Sequence, residues 1–223
     1  MQKKSFGILL LLITSLFCAE LPTGFIYLED IIPDLVLDLR YLGNHNFLGV
    51  PVDGYEAEKC IITEKASKAL SHLAGELKNY GLGIKVFDAY RPQRAVDHFV
   101  RWARVLDDTL TKQEFYPTVD KKDLFEKGYI AEKSSHSRGS TIDLTLVLLE
   151  TGEELDMGSP FDYFGELSHV FTKKYLTAEQ RAHRMLLQML MDKHGFNNYS
   201  EEWWHFTLRD EPFTDTWFDF VIR

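Results

Sequence analysis

Four residues of this chain have the types and the spacing of a catalytic metal site. Asp143 follows His136 after six intervening residues, and His205 closes a later Glu-x-x-His motif that begins at Glu202. A catalytic zinc ion takes three protein ligands, keeps one position open for water, and needs a base that removes a proton from that water. Two imidazoles and one carboxylate supply the ligands here, and a nearby glutamate supplies the base.

The segments around these residues predict a site that is assembled on a β-sheet. His136 lies in a loop of serines and glycine. Asp143 lies in the β-branched, apolar segment 141–149, and His205 lies in the apolar segment 203–208, and each segment is typical of a strand. We therefore expect the metal ligands to come from two neighbouring strands and the loop before one of them.

The identity of the base is open from the pattern alone. On a regular strand Glu201, Trp203 and His205 share one face, and Glu202 points to the other face. Glu202 reaches the metal only if the chain bends before Trp203. Both tryptophans of the motif, Trp203 and Trp204, are expected in the core.

Arg91 lies where a predicted strand over 83–90 meets a helix that begins at Pro92. A strand end is a rigid place for a functional side chain, and a fixed guanidinium can stabilise the oxyanion that forms when water attacks a carbonyl. The alternative is an ordinary surface ion pair between Arg91 and Asp88.

The remaining histidines are expected to be structural, with His169 the strongest competitor for a place among the metal ligands. His183 and His194 fall on the polar face of a predicted helix, and we expect them to be solvated. The others are His45, His72 and His98.

Composition limits the class of protein. The chain has 223 residues, of which 45% are hydrophobic and 26% charged, and this suffices for a full core. We find no repeat or linker and predict one domain over residues 20–223. The net charge of −9 and the lack of a basic cluster argue against a nucleic-acid partner.

The first 19 residues have the pattern of a signal peptide. Two lysines precede a short apolar run, 6–17, and Ala19 is small enough to end the leader. We predict export, to the periplasm, and no membrane span once the leader is removed. Lipid attachment at Cys18 is less favoured, because Phe17 is too large for a good lipoprotein signal. Cys60 would then be alone, and we expect a small buried hydrophobe.

The coarse pattern predicts an α+β fold, with a mainly antiparallel central sheet flanked by helices and the zinc site on the sheet. Residues 109–133 are polar and irregular. Strands are predicted over 31–41, 83–90, 141–149 and 203–208. Helices are predicted from the cap Thr63 to just before Gly81, from Pro92 to Leu106, and from the cap Thr177 to His194.

In order and spacing, the motifs resemble the D-alanyl-D-alanine dipeptidases, zinc enzymes found in vancomycin-resistance clusters and in other bacteria. The resemblance spans most of the chain after the leader. It is carried by Asp38-Leu39-Arg40-Tyr41, Asn46-Phe47-Leu48-Gly49, Asp88-Ala89-Tyr90-Arg91-Pro92, Ser135-His136-Ser137-Arg138-Gly139, Ile142-Asp143-Leu144-Thr145-Leu146, Asp156-Met157-Gly158, Phe161-Asp162 and Glu202-Trp203-Trp204-His205-Phe206.

The resemblance implies a role for each site residue. It implies Glu202, not Glu201, as the catalytic base, and Arg91 as the group that stabilises the transition state. It implies one zinc ion per chain, held by His136, Asp143 and His205. It also implies a small dipeptide pocket shaped by Tyr41, Ser134 and Asp162. Thr141 departs from the pattern, which usually has alanine there.

The implied reaction is zinc-dependent hydrolysis of free D-Ala-D-Ala in cell-wall turnover or recycling. One alternative is a D,D-carboxypeptidase that trims longer wall peptides and needs an open groove. The other is a non-catalytic zinc-bearing module that binds wall fragments, which would need neither Glu202 nor Arg91.

Overall fold

The computed structural model describes residues 21–223. Within them the strands are β1 (Phe25–Tyr27), β2 (Val36–Leu37), β3 (Ile61–Thr63), β4 (Leu82–Asp88), β5 (Thr141–Leu148), β6 (Phe196–Asn198) and β7 (His205–Leu208). Five of them form the central sheet in the order β2-β4-β5-β7-β6, in which only β2 and β4 run parallel. A separate antiparallel pair is formed by β1 and β3.

Helices cover this sheet. They are α1 (Glu64–Lys78), α2 (Gln93–Arg104), the single turn α3 (Lys112–Phe115) and α4 (Ala178–Lys193). α1 packs against β3 and β4, and α4 packs against β6. The predicted α+β fold, with a mainly antiparallel sheet flanked by helices, is therefore confirmed.

The two predicted threonine caps are present. The Thr63 hydroxyl accepts a hydrogen bond from the amide of Ala66 at the start of α1. At the start of α4, Thr177 and Gln180 form a reciprocal capping box. Each cap satisfies amide groups that have no partner inside the helix, which is why helices begin at these residues.

The register of the central sheet places the site. Asp143 on β5 lies opposite Asp88 on β4 and opposite His205 on β7. β5 is the middle strand and is buried along nearly its whole length. Three polar side chains thus stand side by side across three adjacent strands, and β5 holds the one in the middle.

The predicted strand over 31–41 is wrong except at β2. Pro33 and Asp34 lie in a turn before β2, and residues 40–42 form a 3-10 helix. Proline fixes φ and has no amide hydrogen to donate, which favours a turn over a strand at this position. The three-residue strands β1, β3 and β6 are too short to show a periodic pattern and were not predicted.

The predicted leader and Cys18 fall outside the described residues. Between residues 21 and 223 we find no helix that is both long enough and apolar enough to cross a bilayer. Cys60 is a free thiol with 1% of its surface exposed, as predicted for a small buried hydrophobe.

Gly139 shapes the loop that carries His136. It follows the 3-10 helix Ser135–Arg138, has φ of 83°, and its amide donates to the carbonyl of His136. A Cβ atom at this position would lie 2.2 Å from Cε1 of Phe25. The loop therefore requires glycine both for its backbone conformation and for its contact with an aromatic ring.

We expect Gly139→Ala to lower the free energy of unfolding by more than ~2 kcal/mol, because steric overlap with Phe25 adds to a backbone penalty of about 1–2 kcal/mol. Gly81→Ala is the matched control, since Gly81 has φ of 70° but no atom within 4 Å of an added Cβ. Urea unfolding of both variants measures the difference, and an equal loss in the two would contradict the steric argument.

Candidate metal centre and active site

Three side chains converge near the N-terminal end of β5. Nε2 of His136 lies 3.3 Å from Oδ2 of Asp143, and Nδ1 of His205 lies 3.2 Å from Oδ1 of the same carboxylate. The two imidazole nitrogens are 3.2 Å apart. Among the described residues these three form a group of donors close enough to hold one metal ion. The structure thus brings together all three ligands predicted from the sequence.

Hydrogen bonds on the far side of each ring orient the imidazoles. Nδ1 of His136 donates to the carbonyl of Ala89 over 2.7 Å, which leaves the Nε2 lone pair to face the carboxylate. Nε2 of His205 lies 3.4 Å from the Ser135 hydroxyl, so its Nδ1 faces inward. Such contacts fix the ring orientation of a metal-binding histidine.

The donor set fits zinc. Ligands that surround one zinc ion tetrahedrally at about 2.0–2.1 Å lie about 3.3 Å from one another, which is close to the observed separations. Oδ1 of Asp143 is buried and, among residues 21–223, has no hydrogen bond of good geometry. Burial of a carboxylate oxygen without a hydrogen bond costs free energy unless a cation binds it.

The protonation states of the ligands follow from burial and from one another. Burial alone would raise the pKa of Asp143, but the imidazoles of His136 and His205 outweigh it and hold that pKa far below its usual range. Burial lowers the pKa of His136. Burial lowers the pKa of His205, but the close carboxylate of Asp143 outweighs burial and raises that pKa. Because metals bind neutral imidazole, metal affinity should fall as the pH falls.

Glu202 faces the metal ligands, and Glu201 does not. Residues 199–204 form a turn rather than a strand, so the alternation of faces does not apply before β7. Oε2 of Glu202 lies 3.4 Å from Nδ1 of His205. Oε2 of Glu201 instead pairs with Nε2 of His169 at 2.8 Å. The chain therefore bends as it must for Glu202 to reach the metal ligands. Strand alternation, which would have placed Glu201 on the side of the ligands, does not apply here.

The environment of Glu202 suits a group that exchanges protons near neutral pH. Burial, together with the negative charge of Asp143, raises the pKa of Glu202 to about 7, although His205 and Arg91 act in the opposite direction. A general base works best when its pKa is close to the working pH.

Arg91 lies at the site with 12% of its side chain exposed, so it does not form an ordinary surface ion pair. Its Nε donates to Oδ2 of Asp88 over 2.8 Å, and its Nη2 lies 3.5 Å from Oδ2 of Asp143. The guanidinium carbon lies 5.1 Å from the ring centres of both Tyr41 and Phe99. The carboxylates and rings hold the guanidinium in one orientation at the cavity wall.

A small cavity lies over the metal ligands. Its volume is about 290 Å³, at the lower end of the range of roughly 300–1,000 Å³ for ligand pockets. The three pocket residues implied by the resemblance all line it, namely Tyr41, Ser134 and Asp162. Arg91 and Glu202 line it as well. The space is therefore suited to a small molecule.

Asp162 lines this cavity, and one of its carboxylate oxygens has no partner among the described residues. Its Oδ1 accepts a hydrogen bond from the Tyr41 hydroxyl over 3.1 Å, whereas its buried Oδ2 has no partner among residues 21–223. Burial, reinforced by the charge of Asp143, raises the pKa of Asp162 well above its usual range. Asp162 also has a φ of 62°, a strained conformation for a residue other than glycine.

Comparison with known proteins identifies the family. A model of the D-ala-D-ala dipeptidase family matches residues 22–223. The chain belongs to this family. The D-alanyl-D-alanine dipeptidase of Enterococcus faecalis is 44% identical over 199 residues, and that of Streptomyces coelicolor is 40% identical over 198 residues. Each match covers 89% of this chain and 98% of the relative. The resemblance drawn from the motifs is thereby confirmed.

Among solved structures, the vancomycin resistance D,D-pentapeptidase VanY in complex with Zn(II) covers 71% of this chain and 78% of its own chain. The TM-score is 0.38 and the identity 14%, which is too low a likeness to support conclusions about this chain.

One residue that shapes the site of this dipeptidase-family member was missed from the sequence. Arg184 on α4 is buried with 2% exposure, and burial lowers its pKa to about 10. Its guanidinium donates to three backbone carbonyls, those of Met157, Leu167 and His169. It therefore holds both ends of the segment that carries Asp162. The sequence did contain a signal for its burial, because Arg184 shares a helix face with the apolar residues Leu187 and Met191.

One expectation about the other histidines needs correction, the solvation of His183 and His194. His169, which was expected to be structural, pairs with Glu201 and is not among the converging metal donors. His194 is not freely solvated, because its Nε2 lies 2.9 Å from Oε2 of Glu76 on α1. His183 is likewise only partly exposed, with Nδ1 2.8 Å from the carbonyl of Asp156.

We expect His136→Ala to lose most of its bound zinc and to melt at a lower temperature than the zinc-loaded protein, because a metal that binds only the folded state stabilises it. His169→Ala is the control, since this histidine lies near the site but outside the donor group. Metal analysis after dialysis measures both variants. Full zinc content in His136→Ala would exclude this residue as a ligand.

Proposed function

We propose that this protein hydrolyses the free dipeptide D-Ala-D-Ala, with one zinc ion per chain held by His136, Asp143 and His205. The observation that carries the proposal is a small cavity lined by two of these donors, Asp143 and His205, together with Glu202, Arg91 and Asp162. The near full-length similarity to D-alanyl-D-alanine dipeptidases supports it. Residues 20–223 would act as one catalytic unit.

When bound, the zinc ion supplies positive charge that lowers the pKa of water and polarises the peptide carbonyl. Glu202 is the general base in this proposal. It accepts a proton from the attacking water and then donates it to the nitrogen of the leaving amino acid. Its position 3.4 Å from a metal ligand and its raised pKa suit both steps.

Arg91 stabilises the oxyanion that forms when water adds to the carbonyl carbon. Its Nε donates to Asp88 and its Nη2 lies near Asp143, which leaves the N–H groups of Nη1 without a partner among the described residues. Arg91 also lines the cavity. Donors fixed before the reaction need no reorganisation as charge develops, and each contributes strongly in a site that excludes water.

The charged amino group of the dipeptide is proposed to bind Asp162. Its Oδ2 is buried and has no partner among residues 21–223, while Tyr41 fixes the other oxygen. Burial disfavours the charged form of Asp162, and an ammonium group beside it would favour the charged carboxylate and pair with it. Ser134 lines the same cavity beside His136 and would limit its size. Recognition of a free amine selects dipeptides over longer chains.

The two alternative functions have less support. A D,D-carboxypeptidase must accommodate a long peptide, whereas this cavity is small and has a buried carboxylate at its wall. A zinc-bearing binding module has no use for a base of raised pKa or a fixed guanidinium. With a leader that directs export, the enzyme would meet dipeptides released from the cell wall, so we propose a role in wall turnover or recycling.

The substrate proposal is tested by release of alanine, of either configuration, from four compounds: D-Ala-D-Ala, its L,L isomer, N-acetyl-D-Ala-D-Ala, and a pentapeptide that ends in D-Ala-D-Ala. We expect rapid hydrolysis of the first only, and none after chelation. Faster cleavage of the pentapeptide would favour the carboxypeptidase. No cleavage by the zinc-loaded protein would favour the binding module.

We expect Glu202→Ala to lower kcat at least ~10²-fold, the usual scale for loss of a general base, while zinc remains bound. Glu201→Ala is the adjacent control. It breaks a half-exposed pair with His169, which contributes little, about 0–1 kcal/mol. Steady-state kinetics with D-Ala-D-Ala compares the two. A larger loss in Glu201→Ala would reverse the assignment of the base.

We expect Arg91→Lys to be nearly as damaging as Arg91→Ala, each lowering kcat about 10²–10³-fold. Lysine keeps the charge but has no planar fork to bind Asp88 and the oxyanion together. Arg94→Lys is the control, because Arg94 forms an exposed ion pair with Asp219. A defect confined to KM would show that Arg91 binds the substrate carboxylate instead.

A further inference from the structure

A tyrosine outside the cavity completes the hydrogen bonds of the carboxylate that holds Arg91. Asp88 is buried with 1% exposure, and its two oxygens have different partners. Oδ2 accepts from Nε of Arg91 over 2.8 Å, and Oδ1 accepts from the Tyr55 hydroxyl over 2.7 Å. Neither Tyr55 nor Asp88 lines the cavity, so neither contacts a molecule bound there.

The backbone around Tyr55 is itself fixed by the end of the chain. Tyr55 is buried with 7% exposure and forms a parallel bridge with Ile222. The amide of Ile222 donates to the carbonyl of Gly54, and the amide of Glu56 donates to the carbonyl of Ile222, each over 2.9 Å. The C-terminal segment thus holds the loop that delivers the Tyr55 hydroxyl to Asp88.

Hydrogen bonds to both oxygens fix the plane of a carboxylate, and loss of one of them weakens that constraint. The other nearby donor, Nδ1 of His136, lies 3.6 Å from Oδ2 and leaves Oδ1 unsupported. Loss of the Tyr55 hydroxyl would leave Oδ1 of Asp88 buried without a partner, because this oxygen has no other bond among the described residues. Rotation of Asp88 would then turn the guanidinium of Arg91, whose Nε it binds. Small displacements of a positioned group are costly for catalysis.

We propose that Tyr55 is a positioning residue of the hydrolytic reaction, which acts through Asp88 to fix the plane of the Arg91 guanidinium. The inference rests on the proposed function, because it assigns Arg91 to the oxyanion. Three successive contacts connect the C-terminal segment to the transition state: Ile222 with Tyr55, Tyr55 with Asp88, and Asp88 with Arg91. Of these residues, Arg91 is the one assigned a contact with the reacting group.

The test is Tyr55→Phe, which removes one oxygen and keeps the buried ring. We expect kcat for D-Ala-D-Ala to fall about 10- to 100-fold, with KM and zinc content close to those of the wild type. Tyr90→Phe is the matched control. Tyr90 is also buried and is bonded to the same C-terminal segment, but its hydroxyl donates to the carbonyl of Phe220 rather than to Asp88.

A double-mutant cycle separates positioning from general damage. In the Arg91→Lys background, Tyr55→Phe should lower kcat by less than about twofold, because the fork that Tyr55 aligns is already lost. An unchanged kcat in Tyr55→Phe alone overturns the inference. The inference is also overturned if Tyr90→Phe lowers kcat as much as Tyr55→Phe, or if the loss of kcat in Tyr55→Phe parallels a loss of zinc. A third contradicting result is an undiminished effect of Tyr55→Phe in the Arg91→Lys background. Failure of the wild type to cleave D-Ala-D-Ala would instead refute the proposed function.

Discussion

The concentration of carboxyl groups around one small cavity is the constraint on which the rest of the structure depends. Asp88, Asp143 and Asp162 are almost fully buried there, and Glu202 lies beside them. Arg91 is the one guanidinium among them within residues 21–223. Burial of charge without compensation costs several kcal/mol per ion, and breaking a buried pair costs about 3–5 kcal/mol. A further cation would offset this cost, and His136, Asp143 and His205 converge at the place where it would bind.

Sheet register turns this electrostatic requirement into a defined geometry. Asp143 occupies the middle strand, with Asp88 and His205 opposite it on the two neighbours, so their backbone separations are set by the sheet itself. The loops need other support. Gly139 lets the His136 loop turn back over the sheet, and Arg184 holds the segment of Asp162 by three carbonyls. The strands fix the positions of Asp88, Asp143 and His205, and the loop contacts fix the segments that carry His136 and Asp162.

The parts of the site that the sequence could predict are those encoded locally. Metal donors need particular residue types, and a polar residue within an apolar strand is conspicuous, so His136, Asp143 and His205 could be predicted together. Glu202 could be preferred to Glu201 only from the family resemblance, because a turn, not a strand, precedes His205. The contacts of Tyr55 and Arg184 join residues far apart in the chain, and no local pattern indicates them. The strand predicted over 31–41 failed for a local reason, the turn at Pro33.

The central claim is that one cation completes this acidic site and makes it hydrolytic. The most direct measurement is a zinc titration of chelator-treated protein, with D-Ala-D-Ala hydrolysis and metal content followed together. The account predicts no hydrolysis without metal and a linear rise in activity that ends at one zinc ion per chain. Hydrolysis by metal-free protein, or a rise that continues to two ions per chain, would contradict it.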